Sequence, residues 1–470
     1  MLEQEIRKKL MDAVGPSWFL DKPHELVAYS YDATPMYQKL PDAVVLPANT
    51  EQASKVMKIA SEYRIKVIPR GAATNLSGGT IPLEGGLIIG LNRMNKLLEI
   101  DQENLTATVQ PGLVTADLHQ EVEKLNLFYP PDPGSMKTST LGGNIAEGAG
   151  GLRGLKYGVT KDYVIALEAV LPNGEIIRTG GKLAKDVAGY DLTKLLIGSE
   201  GTLAIITEAT LKLLPLPETK KAVVAMFKSM TDAAKAVSKI IANRIIPVTL
   251  EFMDQGTIRV VEDYAKIGLP VEAVAILLME QDGTPEQVNK DIEVMAQICR
   301  DENAFEVKVA KDEAEGEQLM LARRTALTAL ARLKPTTILE DATVPRSEIA
   351  NLVDHINKTA QKYNIQICTF GHAGDGNLHP TCLTDSRDKE EIERVEKAFD
   401  EIYEKTIELG GTITGEHGVG IAKAGYLEWK IGKEGIELMK GIKKAFDPEN
   451  LLNPGKLFVE SARPRRVIQR

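Results

Sequence analysis

Cysteine is scarce in this 470-residue chain: Cys299, Cys368 and Cys382 form no pair, no CxxC and no metal-ligand spacing. That excludes a disulfide scaffold, a cysteine zinc site and an iron–sulfur centre of its own, and it predicts buried thiols in a reducing, cytoplasmic compartment. Long apolar runs are absent too. The longest covers residues 273–279, far short of the ~18 residues a membrane span requires. The first ten residues mix Glu, Arg and Lys, so they predict an amphipathic helix in place of an export signal. A basic excess is also missing, because 57 Lys and Arg stand against 66 Asp and Glu, a net charge of −9. No nucleic-acid partner is therefore expected. What is present, 43% hydrophobic and 26% charged residues, describes a globular protein with room for two or three domains and a large cofactor.

Composition divides the chain. Residues 1–37 predict an N-terminal helical segment. Residues 38–217 are rich in glycine and short strands: a helix at 51–64 leads into a strand at 65–69, with strands near 86–91, 106–110, 164–171 and 203–213. From 218 to 422 strands and helices alternate, which suits a ferredoxin-like antiparallel sheet with helices on one face. Its later part predicts a helix at 312–333, one strand at 336–344 and a helix at 347–363. Residues 423–458 predict a C-terminal helical segment that returns to the first domain, and 459–470 a solvated tail carrying Arg463, Arg465, Arg466 and Arg470. The fold class is α+β.

Three segments are too rich in glycine for packed elements. PRGAATNLSGGT (69–80) follows a strand, and its backbone amides could form an anion-binding nest, though it is neither GxGxxG nor GxxxxGK[ST]. The segment 130–151 holds six glycines in 22 residues, so backbone must approach something closely there. GSEGTLAII (198–206) is a turn feeding a strand.

As a set, PRGAATNLSGG, DPGSMKTSTLGGNIAEGAGG and GSEGTLAIIT resemble the FAD-binding domain of the vanillyl-alcohol oxidase and p-cresol methylhydroxylase superfamily. The resemblance implies a two-subdomain FAD-binding domain followed by a substrate (cap) domain. It implies cofactor contacts from Arg70, Gly71, Ala73, Thr74, Asn75, Ser77 and Gly78 in a first loop wrapping the pyrophosphate. A second loop along the ribityl chain and isoalloxazine supplies Pro131, Asp132, Ser135, Thr138, Gly142, Gly143, Asn144, Gly148 and Gly150. Glu200, Gly201 and Ile206 support the adenine half, and Asn453, in the turn Asn-Pro-Gly, is assigned to the same cofactor. Some members attach FAD through a His near the first loop. None lies between 69 and 82 here, so noncovalent FAD is expected.

Six histidines occur in all, and three of them, His372, His379 and His417, fall within 46 residues. In GHAGDGNLH (371–379) the dipeptide Asp375-Gly376 favours a two-residue type I′ turn, which would set His372 directly opposite His379 with Cβ atoms ~5 Å apart, converging on one ion. Two imidazoles need a third ligand. Gly415-Glu-His-Gly418 offers Glu416 for the metal and His417 as a base.

GHAGDGNLHP and GEHGVG also resemble the C-terminal signature of the FAD-linked oxidases typified by D-lactate dehydrogenase, the glycolate oxidase flavin subunit and D-2-hydroxyglutarate dehydrogenase. That implies a divalent metal (Zn, Mn or Fe) on His372, His379 and Glu416, with His417 as base. It also implies a carboxylate-binding Arg324 and Thr328, one helical turn apart, with Arg323 as a rival. The 2-hydroxyglutarate enzymes carry a Lys and an Asn where this chain has Leu339 and Thr381, so a small monocarboxylate fits better.

The expected activity is FAD-dependent oxidation of a small D-2-hydroxy acid, D-lactate before glycolate, to the 2-oxo acid. The base removes the hydroxyl proton, the metal holds the acid and flavin N5 accepts the Cα hydride. Electrons then pass to an electron-transferring flavoprotein, an iron–sulfur subunit, a cytochrome or quinone, within a homo- or hetero-oligomer that could bring the chain to a membrane. Alternatives are a flavin-carrying electron-transfer subunit without substrate chemistry, a D-2-hydroxyglutarate dehydrogenase and a redox-neutral flavoenzyme of the superfamily.

Overall fold

The computed structural model describes residues 2–458, so the arginines of the tail lie outside the described residues. The chain forms two compact units. The first comprises, of the described residues, 2–151, 159–216 and 416–458; the second comprises 152–158 and 217–415. The boundary expected at 422 therefore falls at 415, and a short segment from within the glycine-rich region belongs to the second unit.

The first unit holds two sheets. Strands β1 (Phe19–Leu20), β2 (Ala43–Val45), β3 (Val67–Arg70) and β4 (Leu87–Gly90) lie in the order β1-β2-β4-β3, with β2, β4 and β3 mutually parallel. The helix Thr50–Glu62 makes the crossover from β2 to β3, and its N-cap, Asn49, accepts from the Gln52 amide. Ala53, Val56, Met57 and Ala60 of that helix pack on Val45, Val67, Leu87 and Ile89 and on Ile6, Leu10 and Val14 of the amphipathic helix Gln4–Val14.

Strands β5 (Leu97–Asp101), β6 (Thr106–Val109), β8 (Val164–Val170), β9 (Ile176–Gly180) and β10 (Ile205–Lys212) form the second, antiparallel sheet in the order β5-β6-β10-β8-β9. A ribbon joins β7 (Leu127–Phe128) to β11 (Leu214–Pro215). The C-terminal segment returns to this unit, where Leu452 bridges Val67 in parallel. It is helical only at Leu427–Ile431 and Lys433–Phe446. Helix as far as 458 is corrected by Pro448, which disfavours helix before it, and by Asp447, whose carboxylate accepts the amides of Leu451 and Leu452.

The second unit carries one eight-stranded sheet. Strands β12 (Thr219–Phe227), β13 (Thr249–Asp254), β14 (Ala275–Gly283) and β15 (Ala304–Val309) lie as β15-β12-β14-β13, the 4-1-3-2 antiparallel order of a ferredoxin-like unit. The sheet continues through β18 (Gln366–His372) and β19 (Asn377–Thr384) to β16 (Thr336–Leu339), and β17 (Ala342–Thr343) also pairs with β19. The single strand expected over 336–344 is thus two, because Asp341 leaves the ladder to accept hydrogen bonds elsewhere. All three cysteines are buried and free. Among the described residues no helix is long and apolar enough to cross a membrane.

Candidate functional site

In the first unit the three glycine-rich loops meet. The first and second touch at Gly71, where a Cβ would come within 2.3 Å of Thr140 Oγ1. The second and third are joined by amide bonds from Gly198 to the Ile145 carbonyl and from Glu200 to the Ala146 carbonyl, 2.9 and 2.8 Å. Gly142 sits where a Cβ would strike Pro111, 2.4 Å away. At both glycines the backbone lies against a neighbouring side chain, which an added Cβ would force to move. Asn453 closes the ring, since its Nδ2 donates to the carbonyls of Gly79 and Glu200, each at 2.8 Å.

Individual loop residues take definite roles. Arg70 ends β3 with its guanidinium buried, donating to the Ala28 carbonyl and Thr80 Oγ1, and burial lowers its pKa. Ala73 has a left-handed backbone (φ 56°) and Thr74 is half-buried. Asn75 donates to Asp32, while the Gly78 amide donates to Thr34. Pro131 offers its carbonyl to His119, and Asp132 is buried. Thr138 is exposed and bonds back to the Ser135 carbonyl. Asn144 donates to Thr115, and Gly148 caps its helix at φ 70°. Gly143 lies in the first turn of that helix, and Gly150 packs against Glu416. Gly201 is left-handed and Ile206 is buried in β10.

A test of whether these loops suit a polar cofactor comes from buried oxygens. Asn75 Oδ1, Ser77 Oγ and Thr140 Oγ1 are buried without a hydrogen-bond partner among the described residues. Such atoms are costly unless a ligand or water satisfies them; the Ser77 and Thr140 hydroxyls can donate to phosphate oxygens and Asn75 Oδ1 can accept from a proton-bearing group, so the set fits a polar cofactor that carries both.

The segment 416–422 lies on the same unit, held by the loops. Glu200 does not face outward as a loop residue would. Its carboxylate accepts the amides of Val419 and Gly420 at 2.7 and 2.6 Å, and the Ser77 carbonyl accepts those of Ile421 and Ala422. Gly418 abuts Glu147, whose pKa is raised well above normal by burial and by neighbouring Glu200 and Asp32. Glu416 and His417 are therefore presented by a backbone fixed just beyond them, with His417 Nε2 3.7 Å from Glu416 Oε1.

In the second unit His372 ends β18 and His379 lies in β19, both buried. The register expected for the hairpin is corrected. His372 pairs with Asn377 and Phe370 with His379, so the two histidines are diagonal neighbours. The loop is four residues, 373–376, because the Gly374 amide donates to Leu250, Gly374 O accepts from Arg346, and Gly376 O accepts from the Val344 amide; these ties override the two-residue turn. The register differs by two residues, an even number, so both imidazoles stay on one face. Their ring centroids are 5.2 Å apart.

Glu251 in β13 is the cross-strand partner of His372, and Oε1 accepts from Nδ1 at 2.7 Å. Its other oxygen accepts from Arg323 Nε at 2.5 Å, and the Arg323 guanidinium lies 4.7 Å from the Phe370 ring centroid. Burial pushes the Glu251 pKa up, but the hydrogen bonds from His372 and Arg323 and the charge of the Arg323 guanidinium outweigh it and hold the carboxyl below its ordinary value. Arg324 points elsewhere: it pairs with Glu317, and its side chain is 45% exposed against 11% for Arg323. Thr328, one turn on, is exposed as well. Of the two arginines, the structure brings Arg323 to the histidines.

Across the same face Asn377 donates to Asp341 and to Thr343 Oγ1. Asp341, fully buried, also accepts from Thr414 Oγ1 and the Gly415 amide, 2.6 and 2.8 Å. Gly415 must be glycine, because a Cβ would lie 2.4 Å from Thr343 Oγ1. The next residue in the chain is Glu416. A metal fits the histidine pair, since a carboxylate that accepts from Nδ1 of His372 fixes the proton there, the tautomer in which Nε2 is the nitrogen able to ligate.

Sequence reasoning missed Glu251, Asp341, Asn377 and Glu147. A signal existed for Glu251, a lone acid inside an apolar strand run, and for Asp341, which interrupts one.

Two family models match: the FAD linked oxidases C-terminal domain over residues 216–457, and the FAD binding domain over 41–180. The glycolate oxidase subunit GlcD of Bacillus subtilis is 62% identical over the full length of both chains. A D-lactate dehydrogenase of Anaerostipes hadrus is 38% identical over 91% of this chain and 92% of its own. The crystal structure of p-cresol methylhydroxylase with substrate bound covers 96% of each chain with a TM-score of 0.81 at 19% identity, a likeness of fold.

Proposed function

The chain belongs to the FAD-linked oxidases, and we propose that it oxidises a small 2-hydroxy monocarboxylate, glycolate or D-lactate, to the 2-oxo acid. The observation that carries the reading is the buried His372–His379 pair, oriented by a carboxylate, in a chain whose other unit gathers three glycine-rich loops. The relative at 62% identity is named a glycolate oxidase subunit, which supports glycolate beside D-lactate as a candidate.

FAD, held noncovalently by the three loops, supplies the two-electron acceptor when bound. His372, His379 and Glu416 would hold a divalent metal, which would supply a positive charge that makes the substrate hydroxyl more acidic. The chain's own groups do the rest. His417 takes the hydroxyl proton as general base. An arginine of the helix Glu313–Leu330 pairs with the substrate carboxylate. Leu339 and Thr381 are directly paired across β16 and β19, two residues along from His379, and neither side chain is a cation that could meet a second carboxylate. That favours monocarboxylates over 2-hydroxyglutarate. Electrons leave to a separate protein or quinone, because three scattered buried cysteines provide no cluster.

Metal analysis combined with anaerobic flavin titration by glycolate, D-lactate, L-lactate and D-2-hydroxyglutarate tests the reading. Bleaching of the flavin by glycolate or D-lactate in a metal-dependent manner is expected. Flavin that none of these acids reduces in metal-loaded protein removes it.

A further inference from the structure

Glu251 stands in the middle of β13 with no exposed surface, between Leu250 and Phe252. An isolated carboxylate is expensive there, and it persists because both oxygens are used. Oε1 accepts from Nδ1 of His372, its direct cross-strand partner, and Oε2 accepts from Nε of Arg323. Arg323 lies over Phe370, which is itself paired with His379. Beyond the bond to Glu251, no terminal nitrogen of Arg323 donates to another described residue. A guanidinium held by Nε alone keeps its Nη1–Nη2 fork for a planar anion.

We propose that Glu251 is a positioning residue that serves two groups at once. It fixes His372 in the tautomer with the proton on Nδ1, and it turns Arg323 so that its fork meets the carboxylate of the 2-hydroxy acid. Arg323, rather than Arg324, is then the residue that selects an acid over a neutral alcohol. Metal affinity and acid recognition share one carboxylate, so a change at Glu251 alters both. The inference rests on the metal and substrate reading above and adds to it the residue that couples them.

The test uses the FAD-loaded full chain as wild type, Glu251→Gln, Arg323→Met and Arg324→Met. Each is stripped of metal and reconstituted with Mn2+ alone, with Kd read by chelator competition in the absence of substrate, and KM and kcat then read with D-lactate and glycolate. Glu251→Gln is expected to weaken Mn2+ binding by about 10–100-fold, the usual cost of losing a partner of a metal-bound histidine. It should also raise KM by about tenfold at unchanged FAD content, the loss of one well-placed charged hydrogen bond. Arg323→Met should raise KM more than Arg324→Met does while leaving the Mn2+ Kd near wild type. If Glu251→Gln fails to fold, Glu251→Asp keeps the charge but retracts it, and the same two quantities are expected to shift in the same directions.

A Glu251 variant that binds Mn2+ and D-lactate as wild type does, or that only lowers the melting temperature, overturns the inference and leaves the function standing. Equal effects of Arg323→Met and Arg324→Met on KM overturn the assignment of the fork. A wild-type chain that takes up no divalent metal overturns the inference and the metal reading together.

Discussion

The two units build their sites from opposite materials. In the first, the loops around residues 71–79, 142–150 and 198–201 are shaped by what is missing: at Gly71 and Gly142 any Cβ would collide, and the bonds that join the second loop to the third run between backbone groups. In the second, one face of a sheet carries the chemistry on side chains, with Glu251, His372, Asn377 and Thr343 paired in a row across four strands. A backbone site tolerates changes of side chain but no added atom. A side-chain site tolerates changes of size but no loss of a polar group.

The sharpest test of that contrast lies at the functional groups. His417→Ala should lower kcat/KM for D-lactate by about 10²–10⁴-fold and abolish the limb of the pH profile that reports the base, with FAD content unchanged. A loss of only a few-fold with an unmoved limb would sink the assigned base.

Next come the loops. Gly71→Val and Gly142→Val should cost about 1–3 kcal/mol of local overpacking, seen as about 10–100-fold weaker FAD retention on dilution, read from the flavin absorbance of the filtrate. Glycine-to-valine variants that hold FAD as tightly as wild type would show that these loops yield, and the contrast would fail.

A smaller effect is expected at the end of the sheet face. Leu339→Lys with Thr381→Asn should shift the ratio of kcat/KM for D-2-hydroxyglutarate over D-lactate by about tenfold, one charged hydrogen bond, without altering FAD retention. An unchanged ratio would mean that this pair does not set substrate length.

The smallest effect is on stability, and its sign differs between the units. Burial raises Asp254, in the second unit, to about 6, against hydrogen bonds from the amides of Thr257 and Thr369. An acid whose pKa is raised by folding contributes stability that is complete below about pH 4 and is lost as pH rises through 6. Lys456, in the first unit, is pushed down to about 8 by burial, so the unfolded chain binds more protons between 8 and 10.5 and stability rises across that window. Melting curves should therefore show wild type gaining on Asp254→Asn as pH falls from 6 to 4, and gaining on Lys456→Met as pH rises from 8 to 10. Parallel curves in either pair would contradict the assigned shift.

How much of this was readable in the sequence follows from the same contrast. Close approaches of backbone are encoded by runs of glycine, so the loops could be found as contiguous segments, and the FAD-binding fold with them. The role of Glu200 could not, because its partners Val419 and Gly420 lie more than two hundred residues away. The histidine pair was legible as a pair but not in its register, since ties from Leu250, Val344 and Arg346 decide the loop. Glu251 is 121 residues from His372, and only the pairing of β13 with β18 brings them together. Arg323 and Arg324 differ by 100° of helix phase, and the helix Glu313–Leu330 is apolar on so many sides that its inward face could not be picked out.

The hairpin between the two histidines has one more consequence. Side chains alternate along a strand, so the pairing register of β18 against β19, rather than the length of the turn at 373–376, decides whether the two imidazoles share a face. A slip of one strand by two residues would slide one imidazole past the other and still leave both looking the same way. A slip by one would send one of them through to the reverse of the sheet. A turn that changes length in relatives must therefore absorb the change within itself, leaving the pairing of His372 with Asn377 in place.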